Sequence, residues 1–536
     1  MTATPANTSE LKPQGTMFIG AEPVTGTGTG IRSRNPNTGD ELDPAYPTAS
    51  PADVARACRL AEEAFDAYRT THPWQRARFL ERIAHHLTEA GDALVERARL
   101  ETGLPTARLA GEVARTTGQL RMFAKVLCEG SWHGARIDPA QPERSPQPRP
   151  DIRQRRIPLG PVAVFGASNF PLAFSVLGGD TASALAAGCP VVVKAHEAHL
   201  GTSELAARAI RAAITDSGMP SGVFSLLVGE GHDTGTRLVA DPHIQAVGFT
   251  GSRTAGRALI RAAAERPAPI PVYAEMSSIN PVILLPGALA ERPRALADAF
   301  TESLALGAGQ FCTNPGLVIA VEGNGLDAFE ARAADNIDNN SGATMLTPRI
   351  AESYRLATET VSDRPRVRVL ARGGVPATAS AGQALLLTVD GDDLCADPEL
   401  QHEMFGAASL LVRCRDLNHV AEVLHALEGQ LTATVHTADA DLDDARALLP
   451  LLERRAGRVL FNNWPTGVEV GHAMVHGGPH PATSDARTTS VGSLAIDRFL
   501  RPVAYQNLPD TLLPPPLQDD NPYSIPRRID GTLTLN

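Results

Sequence analysis

The stretch Ala246-Val247-Gly248-Phe249-Thr250-Gly251-Ser252-Arg253-Thr254-Ala255-Gly256 reads as a buried strand running directly into the start of a helix. Three earlier runs have the same character: Val162-Ala163-Val164-Phe165, Val191-Val192-Val193 and Phe224-Ser225-Leu226-Leu227-Val228. Alanine-rich stretches of helical pattern, at 181–187, 204–213 and 255–264, separate most of them. Short apolar strands alternating with helices imply a parallel, doubly wound α/β sheet, because parallel neighbours need a crossover and are covered on both faces. Such sheets bind nucleotides at the carboxyl ends of their strands. No Gly-x-Gly-x-x-Gly follows the first strand. Gly251, Ser252 and Gly256 follow the fourth, where backbone N–H groups and a positive helix end can face a pyrophosphate. By itself this pattern is more often an ordinary strand-to-helix turn.

Working outward, the pattern from Ala52 to Gly103 is helical, with Phe79, Ile83 and Leu87 at four-residue spacing and an interruption at Gly91. A further helix is expected over 107–127. Residues 139–150 carry five prolines and read as an extended excursion. Strands near Val318, Leu385, Leu410 and Val459 suggest a second α/β lobe. Residues 1–16 read as a flexible lead-in, and the tail from Pro514, with three consecutive prolines and few apolar residues, as an extended arm.

The 536 residues are 43% hydrophobic and 20% charged, with a formal net charge of −11. That balance fits a globular chain and argues against a nucleic-acid surface, which needs basic patches. The longest mostly apolar stretch, 162–179, contains Asn169 and Pro171 and is short for a membrane span. No signal peptide is visible at the N-terminus, so a soluble, cytoplasmic protein without a membrane partner is expected. Six scattered cysteines (58, 128, 189, 312, 395, 414) without a Cys-x-x-Cys pair suggest reduced thiols. His472, His476 and His480 recur every fourth residue, but Gly477-Gly478-Pro479 breaks any helix that would align them. They read as loop histidines, and no metal is expected. Lysine is nearly absent, so Lys194 stands out against the arginine background.

Cys312 lies in Gly307-Ala308-Gly309-Gln310-Phe311-Cys312-Thr313-Asn314, between a small-residue run and the Pro315-Gly316 step. That setting is a loop that can present a thiol to a pocket. Upstream is Glu275, in Tyr273-Ala274-Glu275-Met276. A thiol nucleophile and a carboxylate base suit acyl chemistry on an aldehyde: the thiol adds to the carbonyl, and the base activates water to release a thioester.

These residues, with Asn169-Phe170-Pro171 and Glu403-Met404-Phe405-Gly406, follow the motif order of the aldehyde dehydrogenases, which the chain resembles from about Met17 to Leu508. The wording of Phe165–Ser175 and of Asn462–Val470 is similar to the branch containing 2,5-dioxopentanoate (α-ketoglutarate semialdehyde) dehydrogenases and bacterial fatty aldehyde dehydrogenases. The resemblance implies a Rossmann-type cofactor domain (17–139 and 158–276) and a catalytic domain (277–478). It also implies an oligomerisation arm with tail (140–157 and 479–536) and a homodimer or homotetramer.

It implies Cys312 as nucleophile, Glu275 as deacylating base, and Asn169 with the Cys312 N–H as oxyanion donors. NAD or NADP would be held at Lys194 and Glu197 (adenosine ribose), at Gly251, Ser252 and Gly256 (pyrophosphate), and at Glu403 and Phe405 (nicotinamide ribose). Glu197 favours NAD; Lys194, His232 and Arg253 lie on segments able to serve a 2′-phosphate, so use of both is expected. The family's Glu-Leu-Gly-Gly is Glu275-Met276-Ser277-Ser278 here, which leaves packing at the nicotinamide open. For the small-molecule substrate, Arg115 is the expected partner of a carboxylate, against the alternative of a surface pair with Glu112. Phe170 and Phe174 are the expected tunnel walls, which also suit a fatty aldehyde. An idle binding relative would lack Cys312 or Glu275. A non-redox thiol acyltransferase would make no reduced cofactor from aldehyde.

Overall fold

Valine-rich Val191–Lys194 is buried along nearly its whole length, as a strand flanked on both faces must be. It belongs to a seven-stranded sheet ordered Val272–Glu275, Ala246–Thr250, Val162–Phe165, Val191–Lys194, Phe224–Leu227, Met17–Ile19, Glu22–Val24. The first five strands are parallel. Val162–Phe165 lies between Ala246–Thr250 and Val191–Lys194, so the strand order reverses there and a crevice opens at the carboxyl ends. The helices Gly179–Ala187, Leu200–Ser217 and Arg253–Ala264 supply crossovers. The two edge strands at 17–24 are antiparallel and carry no periodicity long enough to announce them.

The computed structural model describes residues 12–535. Residues 1–11 of the expected lead-in lie outside that range. The expectation of a flexible start is corrected for Gln14–Thr16. The N–H groups of Gln14 and Gly15 and the Thr16 hydroxyl donate to the buried Glu204 carboxylate at 2.9, 3.0 and 3.0 Å. A buried carboxylate needs such donors, and the chain start supplies them.

The helical region is three helices, Pro51–Arg69, Pro73–Glu89 and Gly91–Thr102, followed by Thr106–Glu129. Ser50 and Asp53 form a capping box that fixes where the first begins. The second seven-stranded sheet runs Arg368–Arg372, Leu385–Asp390, Ala408–Cys414, Leu317–Val321, Pro281–Leu284, Gln430–His436, Ala456–Phe461. It is parallel except at Arg368–Arg372.

A third sheet joins Leu500–Gln506, Ile152–Pro158 and Arg136–Asp138 to Arg527–Ile529 and Thr532–Thr534. The tail is therefore not an extended arm. Leu517 and Ile525 of the tail, with Leu513 just before it, pack with Ala135 and Ile137. The Arg153 guanidinium also donates to the Leu517 carbonyl and the Asp519 carboxylate, both at 2.7 Å. Among the described residues no helix is long and apolar enough to cross a membrane.

Candidate active site

The parallel strand Val272–Glu275 ends by aiming Glu275 into the crevice between the two large sheets. Cys312 arrives from the other side, on the turn that follows helix Pro293–Ala305. That turn needs glycine at 309. Its φ is 71°, and a Cβ there would stand 2.2 Å from the Gly406 carbonyl carbon. Asn280 then fixes the nucleophile loop, donating from Nδ2 to the carbonyls of Cys312 and Asn314, each at 2.9 Å.

The loop histidine His476 is the residue the sequence did not place. Its Nε2 lies 2.9 Å from Glu275 Oε1 and 3.4 Å from Cys312 Sγ. Ser490 donates to the other Glu275 oxygen at 2.9 Å. Burial would raise the Glu275 carboxyl, but the charge and hydrogen bond of His476, with bonds from Ser490 and the Cys312 thiol, outweigh it and hold the group below its ordinary value. Burial, and then the neighbouring Glu275 charge, push the Cys312 thiol well above its ordinary range. In the resting site the proton sits on sulfur, facing an ionised carboxylate. The donor atoms of Glu275, Cys312 and His476 lie within 4.8 Å of one another, a spacing that could also hold a metal ion.

Asn169 lies beside this cluster. One Nδ2 hydrogen goes to the Gln310 carbonyl at 2.9 Å, leaving the second for a ligand. Phe170 stacks edge-on against Phe174 and Phe311, with centroids 5.2 and 5.4 Å apart, and Phe174 lies 6.4 Å from His476. Arg115 stands over Phe174, 5.3 Å from the ring centre, and donates from Nη1 to the Val468 carbonyl. Its Nε and Nη2 are buried without a partner, and burial lowers its pKa. The expected alternative of a pair with Glu112 does not form; Glu112 binds Arg108 instead. A second arginine missed by the sequence reading, Arg458, holds the carbonyls of Pro465 and Gly467 at 2.8 and 2.9 Å. Its Nε is buried and unpartnered.

On the nucleotide side, Lys194 Nζ is 3.8 Å from Glu197, which also accepts the Gly231 N–H at 3.1 Å. Ser252 caps helix Arg253–Ala264, and a Cβ at Gly256 would meet Met276 at 2.8 Å. Arg253, expected to lie near enough to serve a 2′-phosphate, is engaged elsewhere: both terminal nitrogens pair with Glu428 at 2.8 Å. Glu403 and Phe405 line a small cleft with Ser278, Phe311 and Asn314. Burial, with a further contribution from Glu275, pushes Glu403 up to about 8, against a hydrogen bond from the Ser278 N–H. The Ser278 hydroxyl lies 2.9 Å from Gln430 Oε1 and from Asn280 Oδ1 and accepts the Leu431 N–H at 3.0 Å. The serine in the glycine position therefore ties the base loop to the second sheet.

Residues 24–492 match the aldehyde dehydrogenase family. The chain is 58% identical over 518 residues to alpha-ketoglutaric semialdehyde dehydrogenase 2 of Azospirillum brasilense, covering 96% of this chain and 99% of that protein. It is 47% identical over 523 residues to alpha-ketoglutaric semialdehyde dehydrogenase of Acinetobacter baylyi, covering 97% and 99%. In fold it is similar to a mutant of aldehyde dehydrogenase C from Pseudomonas syringae solved with NAD+ and octanal (TM-score 0.77, 22% identity, 91% and 96% of the two chains). A 1-pyrroline-5-carboxylate dehydrogenase gives a TM-score of 0.79 at 20% identity, over 93% and 94%. The chain belongs to the aldehyde dehydrogenase family.

Proposed function

We propose that the protein oxidises 2,5-dioxopentanoate (α-ketoglutarate semialdehyde) to 2-oxoglutarate with NAD(P)+. The observation that carries the substrate is Arg115: two buried, unpartnered N–H groups on a cation beside the aromatic wall that leads to Cys312. A carboxylate satisfies such a fork, and a hydrocarbon chain does not. The names of the two relatives above support the same reading.

The chemistry follows from the cluster. As sulfur bonds to the aldehyde carbon, the thiol proton is released to water, and Glu275 stays ionised for the later step. The new oxyanion meets the free Asn169 N–H and the Cys312 backbone N–H, donors typically worth ~2.7–4 kcal/mol each. A bound nicotinamide supplies the hydride acceptor, and the carbon is left as a Cys312 thioester. Glu275, held ionised by His476 and Ser490, then takes a proton from a water molecule. The hydroxide adds, the C–S bond breaks, and the carboxylate leaves.

The nucleotide residues fit such a cofactor. Lys194 and Glu197 stand at the end of Val191–Lys194 as a donor–acceptor pair for ribose hydroxyls, and Glu403 has acceptor capacity beyond its one Ser278 contact. With Arg253 held by Glu428, Glu197 has less cationic company than the sequence suggested, yet Lys194 remains, and we expect use of both NAD and NADP. The lobes 17–139 with 158–276 and 277–478 would hold cofactor and substrate chemistry respectively. The segments 140–157 and 479–536 would join copies of the chain into a dimer or tetramer.

The Phe170–Phe174 wall gives the fatty-aldehyde reading its one supporting observation. A kcat/KM panel of the semialdehyde acid, hexanal and decanal separates the two, and a wild-type preference for decanal would reject the acid.

A further inference from the structure

We propose that Arg108 and Glu112 form a positioning clamp that sets the oxyanion pocket by gripping its two halves from the Thr106–Glu129 helix. The two residues lie one helical turn apart, with Arg108 Nε 3.3 Å from Glu112 Oε1. Glu112 is buried, and its Oε2 accepts the backbone N–H groups of Leu172 and Ala173 at 3.2 and 3.3 Å. Arg108 Nη2 donates to the Asn169 carbonyl at 2.6 Å. The segment 169–173 is thus held at its start by a donor and at its end by an acceptor, both from one face of one helix.

The same guanidinium reaches the other half of the pocket. It lies between the rings of Phe170 and Phe311, 4.9 and 4.5 Å from their centres. Phe311 directly precedes Cys312, whose N–H is the second oxyanion donor. The loop closes over the cation so tightly that a Cβ at Gly307 would stand 2.4 Å from Arg108 Nη1. Asn169 Nδ2 and the Cys312 N–H thus sit on two chain segments that share one cation.

An apolar pair would fill this space without the desolvation cost of a buried ion pair. What it would not do is fix three backbone polar groups at 169, 172 and 173. Burial, Glu275, Glu403 and Arg458 are the main influences on the Cys312 thiol, whereas Arg108 and Glu112 make their contacts with the 169–173 backbone and the flanking rings. The clamp therefore acts on where the donors stand.

This inference rests on the thiol-addition reading of the site, and the test separates the two. In Glu112→Gln the acceptor pattern toward Leu172, Ala173 and Arg108 can no longer be met in full. A displacement on the order of 1 Å costs up to about 100-fold in rate. Glu112→Gln and Arg108→Lys are expected to lose roughly 10–100-fold in kcat/KM, equally for the semialdehyde acid and hexanal. Alkylation of Cys312 by iodoacetamide forms no oxyanion and should keep its wild-type rate, and NAD+ affinity should be unchanged. Retention of wild-type kcat/KM in both variants would overturn the clamp. So would a parallel fall of alkylation and aldehyde oxidation, which marks general loosening. If Glu112→Gln fails to fold, the Arg108→Lys comparison alone decides by the same two readouts. Failure of the underlying reading looks different: Cys312→Ala would still oxidise aldehydes.

Discussion

The cofactor-side sheet and the thiol cluster are built by opposite means. The central strands of the sheet are contiguous apolar runs that recur in a strand–helix pattern. The cluster draws single residues from segments far apart in the chain: His476 meets Glu275 across 201 positions, and Ser490 meets it across 215. A local pattern fixes the first, while only the finished fold assembles the second. The sheet should therefore tolerate apolar exchanges that keep volume, whereas the cluster should not tolerate the loss of one polar atom.

The largest expected effect is at the nucleophile. Cys312→Ala should abolish oxidation of every aldehyde while leaving NAD(P)+ binding nearly intact by fluorescence titration, because the sheet that would hold the nucleotide is untouched. Loss of binding together with activity would break the separation of the two regions. Glu275→Gln comes next. A stoichiometric burst of reduced cofactor should survive, followed by very slow turnover, since deacylation needs the carboxylate as base. Loss of the burst as well would move Glu275 to thiol activation.

His476→Asn sharpens the picture through pH. His476 holds Glu275 below its ordinary value against the burial that raises it. Removing the imidazole lets burial act, so the acidic limb of the deacylation profile should move to higher pH. An unmoved limb would detach His476 from the base. On the cofactor side, Glu403 is pushed up to about 8. Its ionised form is the better acceptor for ribose hydroxyls, so cofactor KM should fall as pH rises through that value, and Glu403→Gln should flatten the dependence. Glu197→Ala has the smallest expected effect, a shift of the kcat/KM ratio toward NADP+ measured with both cofactors. An unchanged ratio would remove Glu197 from the ribose site.

Most of the fold was legible because its signals are local. Val162–Phe165, Val191–Lys194, Phe224–Leu227 and Ala246–Thr250 are strands where the runs place them. The edge strands at 17–24 and the packed tail were not, since three-residue strands and a handful of spaced leucines carry no period. In the site, Cys312, Glu275 and Asn169 stood out by motif; Cys312 and Glu275 meet at His476, and Asn169 bonds to Gln310, two residues before Cys312. His476 was visible as a loop histidine, but nothing in a Gly/Pro-rich loop says which strand end it will meet. Helical spacing placed both Arg108 and Arg115 within reach of Glu112. The backbone N–H groups of Leu172 and Ala173, whose approach no sequence pattern encodes, fix Glu112 where Arg108 is its partner. That leaves Arg115 with two unpartnered nitrogens, Nε and Nη2, against one, Nη1, on Arg108.

The substrate assignment turns on those donors. The direct measurement is kcat/KM for Arg115→Ala against wild type on 2,5-dioxopentanoate and on hexanal. A loss equivalent to roughly 2–4 kcal/mol on the acid, with hexanal nearly unaffected, is the predicted result. Equal losses on both aldehydes, or none on the acid, would contradict it.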